Sequence, residues 1–299
     1  MILMRYLIIA GLAVFVLANP VLAQTEPSFS ITPAKSEYTV SPGENKTATL
    51  TITNNLGRPV QFELGIEDLG TPDLPTEAVK LLGPNLGPYS LKPYLGLNSY
   101  AVTIPDQETR TVALTFKVPA GAPAGTRHGA VTVTARAAPG GAQVNAQLAA
   151  LIFLRIPGLT TALGRVTDFG VLSDRIVWGR QPQFYFTFQN LGNIYLNPYG
   201  VIELSPRLAL PGAMFPVPPN FVLPGGSRIR EVGEPGINWR FAGWYEARLK
   251  LNRGYNNELD QLTTNLLIVP WWLVFAVSLL VLALVWRLVL KLRRRQPYA

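Results

Sequence analysis

The sequence predicts an all-β protein: two tandem immunoglobulin-like β-sandwich domains, with an N-terminal signal peptide ahead of them and one C-terminal transmembrane α-helix after them. Three observations carry this. Short stretches alternate apolar and polar residues between Gly, Pro and Asn turns, as in Thr47-Ala48-Thr49-Leu50-Thr51-Ile52-Thr53, and alternation of that kind marks a strand with one buried face. Charged residues make up only 15% of the 299-residue chain, beside 26 Gly and 26 Pro, which suits many short strands and turns better than long charged helices. The stretch from Leu266 to Trp286 carries no charge and is long enough to cross a hydrocarbon layer of about 30 Å as a helix.

The two apolar ends differ in meaning. Residues 1–23 show Arg5, an apolar run from Tyr6 to Ala18, a breaker at Asn19-Pro20 and the small-residue ending Val21-Leu22-Ala23, the pattern of a signal peptide cut after Ala23. At the other end, residues 266–286 form the expected span, with Trp271 and Trp272 at one boundary and Trp286 at the other as interface anchors. A basic tail, residues 287–299, supplies the stop signal through Arg287, Lys291, Arg293, Arg294 and Arg295. Both signals agree on a single-pass protein of the cell membrane, with a large extracytoplasmic region and a short cytoplasmic tail. Arg5 and the tail account for most of the net charge of +8, so the basic excess serves targeting and does not form a nucleic-acid face.

Between these ends the alternation repeats. The first domain is expected over residues 24–157, with Val60, Phe62, Leu64 and Ile66 inward on one strand and Val112, Leu114, Phe116 and Val118 on another. The second, residues 158–265, follows from Pro157-Gly158 with almost no linker. It copies the first in order: Gln183 to Gly192 matches a first-domain strand with its Asn/Gly turn, Leu223-Pro224-Gly225-Gly226-Ser227 answers Ile104-Pro105-Asp106-Gln107-Glu108, and Ala242-Gly243 answers Ala124-Gly125. Such repetition points to two copies of one fold. Residues 70–98 break the pattern as a Pro-rich insertion well beyond ordinary connection length. It either folds down as a cover with its leucines buried or binds a partner through Leu81, Leu82, Leu86, Tyr89 and Tyr94.

Catalytic signals are sparse. There is no cysteine and a single histidine, His128, without a Gly-x-Ser-x-Gly elbow, so neither a thiol nucleophile nor a His/Cys zinc cluster is available. The carboxylate pairs Glu67-Asp68 and Asp106/Glu108 read as solvated turn positions, as does the group Asn256, Asn257, Glu258 and Asp260, whose spacing matches no calcium loop. Trp239, Trp244, Tyr245 and Tyr255 are candidates for core packing or for a ligand platform. The expectation is a protein that is not an enzyme, takes no cofactor or metal, and acts on neither nucleic acid nor a small-molecule substrate.

Phe29-Ser30-Ile31-Thr32-Pro33, Tyr38-Thr39-Val40-Ser41-Pro42-Gly43, Leu50 to Asn55, and Val118-Pro119 followed by Gly125-Thr126-Arg127-His128-Gly129 resemble the first domain of the membrane-anchored WxL-interacting proteins of bacterial surfaces. The order of two sandwiches, one span and a basic tail resembles that family too, while the second domain matches it in no motif. The resemblance implies a cell-envelope adaptor whose first domain associates with peptidoglycan and whose second binds a surface or secreted protein. The alternative is an accessory or chaperone subunit of an export or surface-assembly machine, lending a strand edge to its client. An unpaired edge strand would favour that alternative.

Overall fold

The alternating stretch at Thr47 lies within a long strand, Asn45–Asn55, in which Leu50 and Ile52 are buried and the threonines between them are not. In the computed structural model, residues 28–72, 77, 79–136, 146–172, 175–178, 182–207, 212–233 and 242–293 are described. The expected signal peptide, Trp239, Arg294 and Arg295 lie outside them.

The first sandwich packs two sheets. One has β1 (Ser28–Thr32), β3 (Asn45–Asn55), β8 (Thr109–Lys117) and β6 (Leu95–Leu97), in that spatial order. The other has β2 (Lys35–Thr39), β10 (Ala146–Ile156), β9 (Gly125–Ala135), β4 (Val60–Gly70) and β5 (Lys80–Leu81), with β7 (Ala101–Ile104) also on β4. Phe62, Phe116, Val133 and Leu154 meet in the core between them. The second sandwich sets β11 (Gly164–Val171), β13 (Phe184–Asn190) and β16 (Ser227–Val232) against a five-stranded sheet. That sheet runs β12 (Ile176–Trp178), β18 (Leu259–Val269), β17 (Gly243–Asn252), β14 (Tyr199–Pro206), β15 (Ala213–Val217). Phe184, Phe186, Phe188 and Leu249 fill its core.

The duplication expected from the sequence is present in topology. In each domain the entering chain starts in one sheet and crosses to the other, where it pairs parallel with the domain's last strand: β2 with β10, and β12 with β18. A buried asparagine is repeated as well. Asn54, fully buried, donates from Nδ2 to the carbonyls of Arg58 and Ile104, both at 2.8 Å, and accepts from Leu56 N–H through Oδ1. Asn190, also fully buried, donates to Ile194 O at 2.8 Å and Val222 O at 3.0 Å and accepts from Gly192 N–H. Each amide ties the end of a strand to the turn that enters the next, and each satisfies polar groups that have no water to turn to.

These bonds also correct the sequence match. Ile104 corresponds to Val222 rather than Leu223, so the facing prolines Pro105 and Pro224 are one position out of step. With that offset Gln107 (φ 60) falls on Gly225 (φ 69), the same left-handed turn position in both copies.

The expected span at 266–286 is divided. Leu266 and Ile268 are buried in the second core, so the strand ladder continues to Val269, and Pro270 ends it because it has no N–H to donate. The Pro270 carbonyl accepts from Leu273 and Val274, opening an α-helix over Trp271–Arg293. From Trp271 to Lys291 it is 21 residues long, its most apolar 18-residue stretch has a mean hydropathy of 2.7, and no residue of that stretch is buried. It is long and apolar enough to cross a membrane, at about 32 Å. Arg287, expected as part of the basic tail, lies inside that length, one turn before Lys291.

Asn54→Ala and Asn190→Ala should each lower stability by about 2–3 kcal/mol, because each strands several buried backbone groups. Urea unfolding of the full chain in detergent micelles checks this, and near-equal losses are expected if the two corners are equivalent.

Candidate functional site

β10 is paired along its whole length with β9, from Ala146 opposite Ala135 to Ile156 opposite Gly125. On its other side, β2 covers only Leu151 to Arg155. Leu151 N–H donates to Ala34 O at 2.9 Å, and Arg155 O accepts from Val40 N–H at 3.1 Å. Backbone groups alternate in direction along a strand, so the amides of Gln147 and Ala149 point to that same side. Among the described residues no strand lies opposite them.

Edge strands are usually protected by charge, proline or a bulge. The edge strand β16 carries Arg228, Arg230 and Glu231, and β15 carries Pro216. Ala146-Gln147-Leu148-Ala149-Ala150 has neither charge nor proline, and Leu148 is 39% exposed. The second domain shows the contrast directly. Gly125 faces Ile156 as Gly243 faces Ile268, which aligns Leu148 with Asp260. There β12 covers only Leu267 to Val269 of β18, so the ladder is one-sided as well, but the matching position carries charge: Asp260 accepts from Val166 N–H of β11 at 2.8 Å and pairs with Arg253, where the first domain has the uncharged Leu148.

The second half of β10 faces the other sandwich. Phe153 is buried in an apolar cluster with Leu69, Ala130 and Leu223, its ring 5.1 Å from Tyr195 and 5.2 Å from Phe221. Lys35 Nζ sits over all three rings, at 5.0 Å from Phe153, and pairs with Glu37 at 2.8 Å. The Tyr195 hydroxyl donates to Glu37. Burial works to raise the Glu37 carboxyl, but the hydrogen bonds from Lys35 and Tyr195 outweigh it and hold it below its usual value. Burial and the Glu37 carboxylate both push the Tyr195 hydroxyl upward.

Asn193 completes the junction. Its carbonyl accepts from Thr126 N–H at 2.9 Å and its Oδ1 from Thr161 N–H at 2.8 Å. Gly125 (φ +124) is required here, since a Cβ would fall 2.5 Å from Asn193 O. A cleft of about 290 Å³ opens beside these contacts, lined among others by Glu37, Thr39, Arg155, Tyr195 and Asn197.

The insertion is fastened from below. Asp68, fully buried, accepts from Gly87 N–H at 3.0 Å through one oxygen and from Leu91 N–H at 3.0 Å through the other, and Glu67 accepts from Gly83 N–H at 3.0 Å. This corrects the reading of that pair as solvated: the carboxylates organise the loop's backbone. Leu91 and Leu95 enter the first core. Arg127 lies between the rings of Tyr89 and Tyr94, at 5.7 and 5.9 Å. His128 is 2% exposed, and its Nδ1 and the Ser90 hydroxyl are buried without a hydrogen-bond partner.

Comparison with known proteins adds little to this geometry. No protein family and no curated relative matches the chain. Solved structures that it resembles include the class 5 fimbriae chaperone CfaA, at 14% identity and TM-score 0.40, covering 81% of this chain and 100% of that one. Another is a CsuC-CsuE chaperone-tip adhesion subunit pre-assembly complex from Acinetobacter baumannii, at 10% identity and TM-score 0.41, covering 81% and 99%. A third is the Pseudomonas aeruginosa CupB2 chaperone, at 13% identity and TM-score 0.36, covering 79% and 98%. Likeness at this level carries no conclusion beyond the two-sandwich architecture already evident from the strand order. It lends no support to the WxL-type resemblance or to peptidoglycan as a ligand.

Of the five loop residues singled out as partner contacts, Leu81, Leu82, Tyr89 and Tyr94 are half-buried, and only Leu86, at 66% exposed, stands free. Leu81 packs on the inter-domain cluster, and Tyr89 reaches toward Gly192 of the second domain. Tyr245 is buried and Tyr255 hydrogen-bonds Gly164, whereas Trp244 is 53% exposed. No cluster of three or more potential metal ligands occurs among the described residues. The bare edge of β10 escaped sequence reasoning because a strand reads alike whether its neighbour is present or missing.

Burial holds the His128 imidazole down at about 4; Arg127 adds to this, while Asp68 and the hydrogen bond at Leu69 oppose it. The unfolded chain, with an ordinary value near 6.5, therefore binds the proton better. Stability from this residue is complete above pH ~6.5 and falls as pH drops toward ~4, by up to about 3 kcal/mol. Thermal unfolding of the full chain across that window should show the loss, and His128→Gln should lack that component.

Proposed function

We propose that the chain is a membrane-tethered, non-catalytic binding protein that holds an extended segment of a partner protein by strand addition, serving as an accessory or chaperone subunit in surface assembly. The observation that carries it is the half of β10 that no strand covers among the described residues: Ala146 to Ala150 present amides at Gln147 and Ala149 with no strand opposite them there, no charge, and an exposed Leu148. A segment laid along that edge supplies the missing hydrogen bonds, and its alternate side chains read the surface around Leu148. An envelope polysaccharide lacks the regular backbone amides that a bare edge recruits, so the edge favours a polypeptide over the glycan reading.

The rest of the chain serves that edge. β18 runs 11 residues, about 35 Å, between the inter-domain junction at one end and the helix at the other. The second sandwich therefore acts as a spacer that stands the first off the bilayer. The Phe153 cluster and the Asn193 bonds stiffen the pair, so the edge is held out rather than swinging freely. The export-type N-terminus and the basic residues after the apolar helix support an orientation with the sandwiches outside.

A photo-crosslinking side chain in place of Leu148, on intact cells that produce the protein, should give a protein adduct. The same group in place of the exposed Met214 on β15 should give none. Ala149→Pro should abolish the adduct while leaving the thermal midpoint nearly unchanged, because that N–H points away from β9 and its loss blocks only an added strand. An adduct that survives Ala149→Pro, or one made of glycan, would contradict the proposal.

A further inference from the structure

The helix-proximal end of the second sandwich changes character over a single step of its ladder. On β18, Leu266 and Ile268 point into the core, so Leu267 and Val269 lie on the outer face, and their cross-strand partners share that face. Those partners are Ile176 and Trp178 on β12 and Trp244 on β17. Trp178 is 51% exposed, Trp244 53% and Ile176 39%. One step further from the helix, the same face shows Glu246 opposite Asn265, then Arg248 opposite Thr263 and Lys250 opposite Gln261. The outer face thus passes from charged to aromatic within about 7 Å, just where the chain turns into Trp271.

We propose that this end of the second sandwich is itself a lipid-binding surface, seated in the headgroup layer with Trp178 and Trp244 as anchors beside Trp271 and Trp272. Continuity with the helix selects the occupant. Val269 stands directly opposite Trp178, and two residues later the chain is in the apolar helix. The polar layer of a bilayer extends roughly 5–7 Å on each side of the hydrocarbon, so groups this near the helix start lie within it. Exposed indoles suit that layer, because the ring settles against acyl chains while its N–H reaches polar headgroups. Arg175 and Arg207 are exposed at the rim of the patch, Arg175 adjoining Ile176 and Arg207 bonded through its backbone N–H to Trp244 O. Both are placed to meet lipid phosphates. The effect is to fix the tilt of the second sandwich on the membrane, which a single flexible attachment at Pro270 would not do.

The proposal rests on the helix being a membrane span and is independent of strand addition at β10. Because the chain has no native cysteine, single sites can be spin-labelled in the full-length protein reconstituted into phosphatidylethanolamine/phosphatidylglycerol vesicles. Labels go on Ile176→Cys in the aromatic row, Thr263→Cys on the polar part of the same face, and Leu280→Cys in mid-helix. Collisions with an aqueous nickel chelate are compared with collisions with dissolved oxygen. The Thr263 label should be open to nickel, the Leu280 label open only to oxygen, and the Ile176 label should show a partial loss of nickel access with a gain in oxygen access. In a Trp178→Ser/Trp244→Ser background, the Ile176 label should return to the behaviour of Thr263. If that variant does not fold, the comparison of Ile176 with Thr263 in the otherwise native chain decides alone. Equal nickel access at Ile176 and Thr263, with Leu280 in lipid, would overturn the lipid surface while leaving the span intact. An Ile176 label shielded from both relaxants would overturn it in favour of a protein neighbour, and a Leu280 label open to nickel would remove the span and the surface together.

Discussion

The parallel pairing of the five residues of β2 with only the second half of β10 is the constraint on which the arrangement depends. It closes the first sandwich, places Lys35 over Phe153 and Glu37 under Tyr195, and so builds the junction with the second domain from the same short strand. It also stops at Leu151, leaving the preceding residues of β10 as a one-sided ladder. The second domain repeats the pairing with β12 on β18 but ties down the matching position through Asp260. The one-sided ladder is thus common to both copies, β12 covering only Leu267 to Val269, and what sets the first domain's edge apart is its lack of charge, Leu148 standing where the second domain has Asp260.

From that edge to the membrane the parts form one mechanical series. The Phe153 cluster and Asn193 fix one sandwich on the other, β18 carries the load down the length of the second, and its last residues turn at Pro270 into the helix. A binding edge held stiffly off a bilayer samples fewer orientations than one on a loose tether, and association then loses less freedom. The aromatic end of the second sandwich extends this logic to the lipid surface.

Much of this was legible in the sequence, and the reasons differ for each part. Strand faces followed from alternation, because Phe62, Leu114 and Phe116 must all point one way to reach a core. The duplication was visible in the strand and Asn/Gly turn shared by both copies, because the buried amides Asn54 and Asn190 need the same turn geometry, although Pro105 and Pro224 sit one residue out of register. Leu266 to Val269 was read as lipid-facing since apolarity alone does not separate a buried strand from a membrane helix; the partners at Trp244 and Trp178 that decide the matter are distant in sequence. Asp68 looked solvated because nothing local reveals that a loop some twenty residues later folds back onto its carboxylate. Pairing is a property of neighbours, and neighbours are what a linear reading lacks.

Residue-resolved hydrogen exchange along β10, in the full-length chain held in lipid nanodiscs without partner, tests the central claim most directly. Slow exchange at Leu151, Phe153 and Arg155 with fast exchange at Gln147 and Ala149 is the predicted pattern. Uniform protection from Gln147 through Arg155 would mean that the edge is already covered, and the account built on it would fail.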